Sequence, residues 1–211
     1  MKLCPYCMHA TEANPCPHCG KPTVLPNNSG MLPVGTRISG GSGQTYQIGA
    51  PLGQGGFGIT YVGRDTTLGL KVAIKEYYPN GYVNRSHELS NTISTTTDSQ
   101  KEFFMKGKER FLTEARSLAK FDQEKGIVDV RDYFEENGTA YIIMEYLDGV
   151  TLSDYIKQMG AMDSVTLFSL MKPIMNSLQN IHDKGIIHRD ISPDNIMILK
   201  NGTLKLMDFG A

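Results

Sequence analysis

After Cys19 the chain contains no further cysteine, and nowhere in its 211 residues is there an apolar run long enough to cross a bilayer. A spanning helix needs roughly 18 or more predominantly apolar residues in succession. The opening Met-Lys-Leu-Cys-Pro-Tyr-Cys also lacks the apolar stretch of a secretory signal peptide. Charge of one sign is missing too. Lys and Arg number 21 against 22 Asp and Glu, a formal net charge of -1. That balance gives no electrostatic case for nucleic acid or an anionic membrane surface as partner. With 40% hydrophobic and 20% charged residues, the composition is that of a globular chain with one or two cored domains. The expected setting is cytoplasmic, with membrane anchoring through some part beyond Ala211 left open.

All four cysteines, Cys4, Cys7, Cys16 and Cys19, fall in two Cys-Pro-x-Cys runs. Two such pairs in a reducing compartment read as a metal site rather than as disulfides. A tetrahedral Zn²⁺ takes four thiolates, and a closed set of four leaves no open position for catalysis. The reading is therefore a structural zinc ribbon over residues 1–21, a stretch too short to bury a core unaided. His9 and His18 are alternative ligands, and a redox dithiol pair or an iron–sulfur site are alternative chemistries. Ribbons of this kind resemble interaction modules, so a protein partner is possible for it.

Residues 22–45 are rich in Pro, Gly, Ser and Asn and read as a flexible linker. From residue 46 onward the pattern is α+β. Short apolar alternations predict strands over 46–52, 59–62 and 70–74, then a helix over about 101–121. Strands come next over 127–134 and 139–146 around Asn137-Gly138, then a helix over about 164–183, and a hairpin of 196–199 with 203–207. Pro173 should kink that second helix or mark its start.

Gly53-Gln-Gly55-Gly56-Phe57-Gly58 is a GxGxxG run, which alone is weak evidence. The next four residues, Ile-Thr-Tyr-Val, alternate like a strand, whereas a dinucleotide loop opens a helix. A glycine loop between strands can lay backbone N–H groups over phosphates without side chains in the way. Val72-Ala73-Ile74-Lys75 ends an apolar strand with a point charge suited to nucleotide phosphates. Glu114, near the apolar face of the first helix, needs a cation if it points inward, and Lys75 is the natural candidate.

His188-Arg189-Asp190 with Asn195 beyond it carries the strongest signal, a carboxylate for a nucleophile's proton and an amide metal ligand at HRDxxxxN spacing. Asp208-Phe209-Gly210 comes 13 residues after Asn195, across a short hairpin that can return a second carboxylate beside it.

From residue 46 to Ala211 the chain resembles eukaryotic-type Ser/Thr protein kinases, and Lys-Glu-Tyr-Tyr-Pro with His-Arg-Asp-Ile-Ser-Pro-Asp-Asn resembles their bacterial members. The resemblance implies a bilobal fold, with an antiparallel sheet and one helix in an N-lobe of about 46–147. The start of a helical C-lobe spans about 148–211. It implies ATP and Mg²⁺ as cofactors and protein Ser/Thr hydroxyls as acceptors. Lys75 and Glu114 would be the activating pair, Asp190 the catalytic base, and Asn195 and Asp208 the Mg²⁺ ligands. Gly53, Gly55, Gly56 and Gly58 would cover the phosphates. Met144 would sit at the gatekeeper position, with residues 145–147, Glu145 and Leu147 included, as the hinge. Ala73 and Met197 would sandwich adenine, and Leu118, Val130, His188 and Phe209 would form the regulatory spine.

Several features depart from the family pattern. Ser192 replaces the usual lysine two residues after the catalytic aspartate, and Thr60 replaces the usual valine after the glycine loop. Residues 76–100 form a long polar insert, expected as a disordered loop with a docking or autophosphorylation role as the sharper alternative. The chain ends just after Asp-Phe-Gly, so it reads as a fragment that binds ATP but transfers phosphate weakly or not at all by itself. The competing readings are a nucleotide-binding pseudokinase or regulatory module and a kinase-fold small-molecule phosphotransferase.

Overall fold

The structure is a computed structural model that describes residues 2–26, 28–41, 43–85, 90–121 and 124–209. Gly210 of the Asp-Phe-Gly run and residues 86–89 of the polar insert lie outside the described residues, as do Asn27 and Ser42 of the predicted linker. The chain divides into two compact units, Met1–Ala115 with Arg131–Tyr146, and Arg116–Val130 with Leu147–Ala211.

In the first unit the strands are β1 (Arg37–Ser39), β2 (Thr45–Gln54), β3 (Gly58–Asp65) and β4 (Lys71–Tyr77), then a small hairpin, β5 (Asn84–Arg85) and β6 (Ile93–Ser94). Helix α1 (Asp98–Leu118), most of which lies in this unit, precedes β7 (Val130–Glu136) and β8 (Thr139–Glu145). Six strands form one sheet in the order β1-β2-β3-β4-β8-β7. The β7–β8 turn has Asn137 and Gly138 both at positive φ, 52° and 73°. That is the geometry an Asn-Gly hairpin turn requires.

Strand alternation sorts the residues of β4 onto two faces. Ala73, Lys75 and Tyr77 share one face, and Val72, Ile74 and Glu76 the other. Helix α1 packs on the Tyr77 side. The Tyr77 ring lies 5.3 Å from Phe104 and 5.5 Å from Phe111, centroid to centroid. Gly107 is what lets the helix approach, because a Cβ there would run into the Tyr77 hydroxyl.

The opposite face is covered by segments expected to be loose. Leu32, in the predicted linker, is 4% exposed and belongs to the core, and β1 pairs with β2 from Arg37↔Gln47 to Ser39↔Thr45. The insert holds the β5–β6 hairpin, and its Arg85 and Ile93 are buried. Both expectations are corrected for these residues. The missed signal was isolated apolar positions, Leu32, Val83 and Ile93, which have no period of their own and become core only by covering an existing sheet.

The second unit contains β9 (Gly149–Thr151), α2 (Leu152–Met159), α3 (Ser164–His182), β10 (Ile196–Leu199) and β11 (Leu204–Leu206), with the three strands ordered β11-β10-β9. The hydroxyl of Thr151 caps α2 by accepting from the Asp154 amide at 3.0 Å. Asp163 caps α3 by accepting from the amides of Val165 and Thr166. Helix α3 runs through Pro173, so the proline does not mark its start. Its buried stripe, Ile174, Ser177 and Ile181, sits at helical spacing. The strand predicted over 127–134 begins only at Val130. Residues 126–128 instead join β11 through Leu206 N–H to Gly126 O (2.8 Å) and Val128 N–H to Leu206 O (2.9 Å). No helix of the described residues is long and apolar enough to cross a membrane.

Candidate functional site

The residues singled out by sequence fall in both units, and each set has its own local logic. In the first unit β2 and β3 pair as far as Gln54↔Ile59, so residues 55–57 form a short loop between strands. It closes on itself through Gly55 N–H to Gly58 O at 2.9 Å. The N–H groups of Tyr78 and Asn80 tie it down by donating to the carbonyls of Phe57 and Gly56, each at 3.0 Å. Gly58 is required by packing, since a Cβ there would stand 2.6 Å from the Glu76 carbonyl oxygen. Gly53, Gly55 and Gly56 face open space, with nothing within 4 Å of where a Cβ would be. Their backbone is thus reachable from outside.

Lys75, half-buried on β4, lies between Thr60 of β3 and Ile142 of β8. Glu114 is half-buried on α1. Phe104, Gly107, Phe111 and Glu114 recur at three- and four-residue steps, so they share the helix face that meets Tyr77. Lys75 is two positions along the same strand face from Tyr77. The two charged residues therefore occupy facing surfaces of strand and helix. Ala73 pairs with Val62 and Met144, and Val72 with Glu145, at the end of β8.

In the second unit the chemistry gathers around His188, which is fully buried. The Met207 carbonyl can only accept, so His188 Nε2, 3.0 Å away, carries the ring proton. Nδ1 then accepts from the Asp190 N–H at 3.2 Å. One neutral tautomer satisfies both bonds and fixes the segment carrying Asp190 against the end of the β10–β11 hairpin. Asn195 adds the next link. Its amide Nδ2 donates to Asp190 Oδ2 at 2.8 Å and to the Asp190 carbonyl at 3.0 Å. Its own carbonyl accepts from Met207 N–H at 2.9 Å. Asp208 comes directly after Met207 in the chain. With both amide protons committed to Asp190, Asn195 has Oδ1 to offer a cation. Arg189 and Asp208 both sit at positive φ, 72° and 58°, in a region non-glycine residues seldom enter. Such strain collects where geometry serves function.

The protein kinase domain family matches residues 46–211. The chain belongs to the protein kinase family. Among curated proteins it is 37% identical over 184 residues to "Probable serine/threonine-protein kinase PknB" of Bifidobacterium longum, covering 83% of this chain and 23% of that protein. It is 34% identical over 177 residues to serine/threonine-protein kinase PrkC of Bacillus subtilis, covering 84% and 24%. A solved structure titled "PpkA-294 apo form" superposes with a TM-score of 0.76 at 35% identity, covering 86% of this chain and 62% of that one. The chain thus spans about a quarter of the length of these curated relatives.

Within the kinase frame, all four residues expected as the spine, Leu118, Val130, His188 and Phe209, are buried. The His188 and Phe209 rings are in contact, with centroids 4.2 Å apart. Met197 lies on the central strand β10, paired with Lys205 and Thr151. Ser192 contributes its carbonyl to the turn that carries Asn195, accepting from the Asn195 N–H at 3.0 Å. Leu147, the end of the expected hinge, is half-buried in the second unit.

A polar cluster that sequence reading missed lies on the β4 face opposite Lys75. Glu76 Oε2 accepts from Tyr61 OH and Oε1 from Tyr141 OH, each at 2.9 Å. Arg85 pairs with the same carboxylate, donates from Nη1 to Gly30 O at 2.7 Å and from Nε to Asn91 O at 2.8 Å. Burial works to lower the proton affinity of the Arg85 guanidinium, but Glu76 outweighs it and holds the pKa above its ordinary value. Burial and the Glu76 charge push both tyrosine hydroxyls up. One available signal was Glu76 itself, an acid on the apolar Val72–Ile74 face of a strand.

The four cysteines converge, with all Sγ atoms within 4.8 Å of one another. Cys4 and Cys19 are 3.6 Å apart and Cys7 and Cys16 3.7 Å. Four sulfurs about 2.3 Å from one tetrahedral ion would stand about 3.8 Å apart. Burial pushes the Cys4 thiol up, but the N–H groups of Cys7 and Tyr6 and the neighbouring thiols outweigh it and bring it down to about 7. His9 and His18 stack on each other at 4.6 Å.

Proposed function

We propose that this chain is the ATP-binding part of a protein kinase that transfers the γ-phosphoryl group of Mg-ATP to Ser/Thr hydroxyls of proteins. The observation that carries the reading is the linkage of Asp190, Asn195 and Met207-Asp208 through His188, which holds a base and two oxygen ligands on one frame. Asp190 takes the proton of the acceptor hydroxyl, and its Oδ2 is positioned for that by Asn195. Asn195 Oδ1 and Asp208 would hold Mg²⁺, hard oxygen donors suited to a hard cation that neutralises phosphate charge. The open backbone at Gly53, Gly55 and Gly56, with Gly58 fixing the turn, covers the phosphates, and Lys75 supplies a charge to them with Glu114 positioning it. The resemblance to the family assigns Ala73 and Glu145 of the first unit, and Leu147 and Met197 of the second, to adenine.

Ser192 favours a second reading, a nucleotide-binding regulatory module, because it removes a cation from the transferring phosphate. Radiolabelled transfer from ATP to a generic protein acceptor separates the two. The kinase reading expects phosphoserine or phosphothreonine that disappears in Asp190→Asn. Nucleotide binding without any transfer in the full protein would favour the second.

For the N-terminal cluster we propose structural Zn²⁺ on Cys4, Cys7, Cys16 and Cys19, supported by sulfur spacings near those of a tetrahedral site. Elemental analysis should find one zinc per chain, and its loss in Cys4→Ser. A chain that takes up no zinc from a metal-buffered solution would sink this assignment.

A further inference from the structure

The two cysteine knuckles repeat each other in backbone bonding, but Met8 stands in the first where Gly20 stands in the second. In the first, Cys4 N–H donates to His9 O at 2.9 Å and Met8 N–H to Cys4 O at 3.0 Å. In the second, Cys16 N–H donates to Lys21 O at 2.9 Å and Gly20 N–H to Cys16 O at 2.8 Å. The residue after the second cysteine has positive φ in both, 60° at Met8 and 70° at Gly20. Gly20 suits that conformation, and Met8 does not. Something must hold a side chain there.

Its surroundings supply the reason. Met8 is 3% exposed, and its methyl group occupies the space beside Gly49 of β2, where a Cβ would collide with it and with the Pro5 carbonyl. That carbonyl accepts from the Ala50 N–H at 2.8 Å, and the Met8 carbonyl accepts from Arg64 Nη1 at 2.7 Å. Ile48, two residues before Ala50, exchanges bonds with the chain leading into β1, through Ile48 N–H to Thr36 O and Gly35 N–H to Ile48 O. The β2–β3 register shifts between Ile48 and Pro51, and within that stretch the Ala50 amide bonds to Pro5 instead of to the chain leading into β1. The knuckle thus takes over where β1 leaves β2 unpaired, three residues before Gly53. By contrast, no atom lies within 4 Å of a Cβ at Gly20.

We infer that the first knuckle is a metal-dependent brace for the strand leading into the glycine loop, so that the cysteine site belongs to the kinase N-lobe rather than to a separate tethered module. This rests on the zinc assignment above, because the docked residues Pro5 and Met8 alternate with the ligands Cys4 and Cys7. A metal that fixes those two thiolates fixes the carbonyls and the methionine between and beside them.

Hydrogen exchange read at the Ala50 amide, with zinc content measured on the same samples, tests it. Stripping zinc with a chelator should lower protection at Ala50 about tenfold or more, with recovery on adding Zn²⁺ back, while Val62 and Ile74 change far less. The double variant Met8→Ala/Arg64→Ala keeps all four thiolates. It should retain one zinc per chain yet lose protection at Ala50, and it decides the matter if the stripped chain unfolds throughout. Zinc bound at one per chain with Ala50 protection unchanged by stripping or by the double variant would overturn the brace and leave the zinc assignment standing. A chain that binds no zinc would overturn both.

Discussion

Arg85 and Glu76 meet with both side chains fully shielded from solvent, and the polar groups that bond to them come from separate stretches of chain. Gly30, Tyr61, Asn91 and Tyr141 each bond to one or the other. The pair locks the segment before β1 and the insert after β4 onto the sheet face opposite α1. Replacing Arg85 by Ala would leave a buried carboxylate without its cation, and breaking such a pair costs about 3–5 kcal/mol. Urea unfolding of Arg85→Ala should show a loss of that order. A change under about 0.5 kcal/mol would place the insert off the sheet in solution.

Lys75 lies on the strand face that α1 covers, and Glu114 on the helix face that meets it. Lys75→Met removes the point charge proposed for nucleotide phosphates without removing much packing. The expected result is a fall of about 100-fold or more in transfer from ATP with little change in thermal stability. Glu114→Gln should weaken transfer less, since it alters positioning and leaves the cation in place. Equal rates for wild type and Lys75→Met would remove the role given to that lysine.

Ser192 offers a gain-of-function test. Its side chain makes no capping bond to the short helix after it, so substitution disturbs little. Ser192→Lys restores a cation two residues after Asp190 and should raise transfer roughly tenfold, measured as kcat with Mg-ATP saturating. A variant no faster than the parent would show that the charge is supplied elsewhere or not needed.

The legible parts of the fold were those with strong local signals. Helix α3 and the strand after the Asn137-Gly138 turn were placed within a residue because period and turn chemistry are carried by neighbours in sequence. The loop 55–57 was correctly read as passing from strand to strand, from the alternation after Gly58. Missed were β1, β9, α2 and the β5–β6 hairpin, all short, and the burial of Leu32 and Arg85. Their order comes from partners far along the chain: Leu32 N–H donates to Tyr61 OH, 29 residues on. The candidate site was legible as residue types at fixed spacing. The tautomer of His188 and the strained backbone at Arg189 and Asp208 were not, because they depend on a hairpin folding back.

The central claim, a Mg-ATP site built on this kinase frame, is tested most directly by calorimetric titration of ATP into the protein with and without Mg²⁺, beside Asp208→Asn. Saturable binding should strengthen with Mg²⁺ in the parent and lose most of that gain in the variant. Binding indifferent to both Mg²⁺ and Asp208, or no binding, would contradict it.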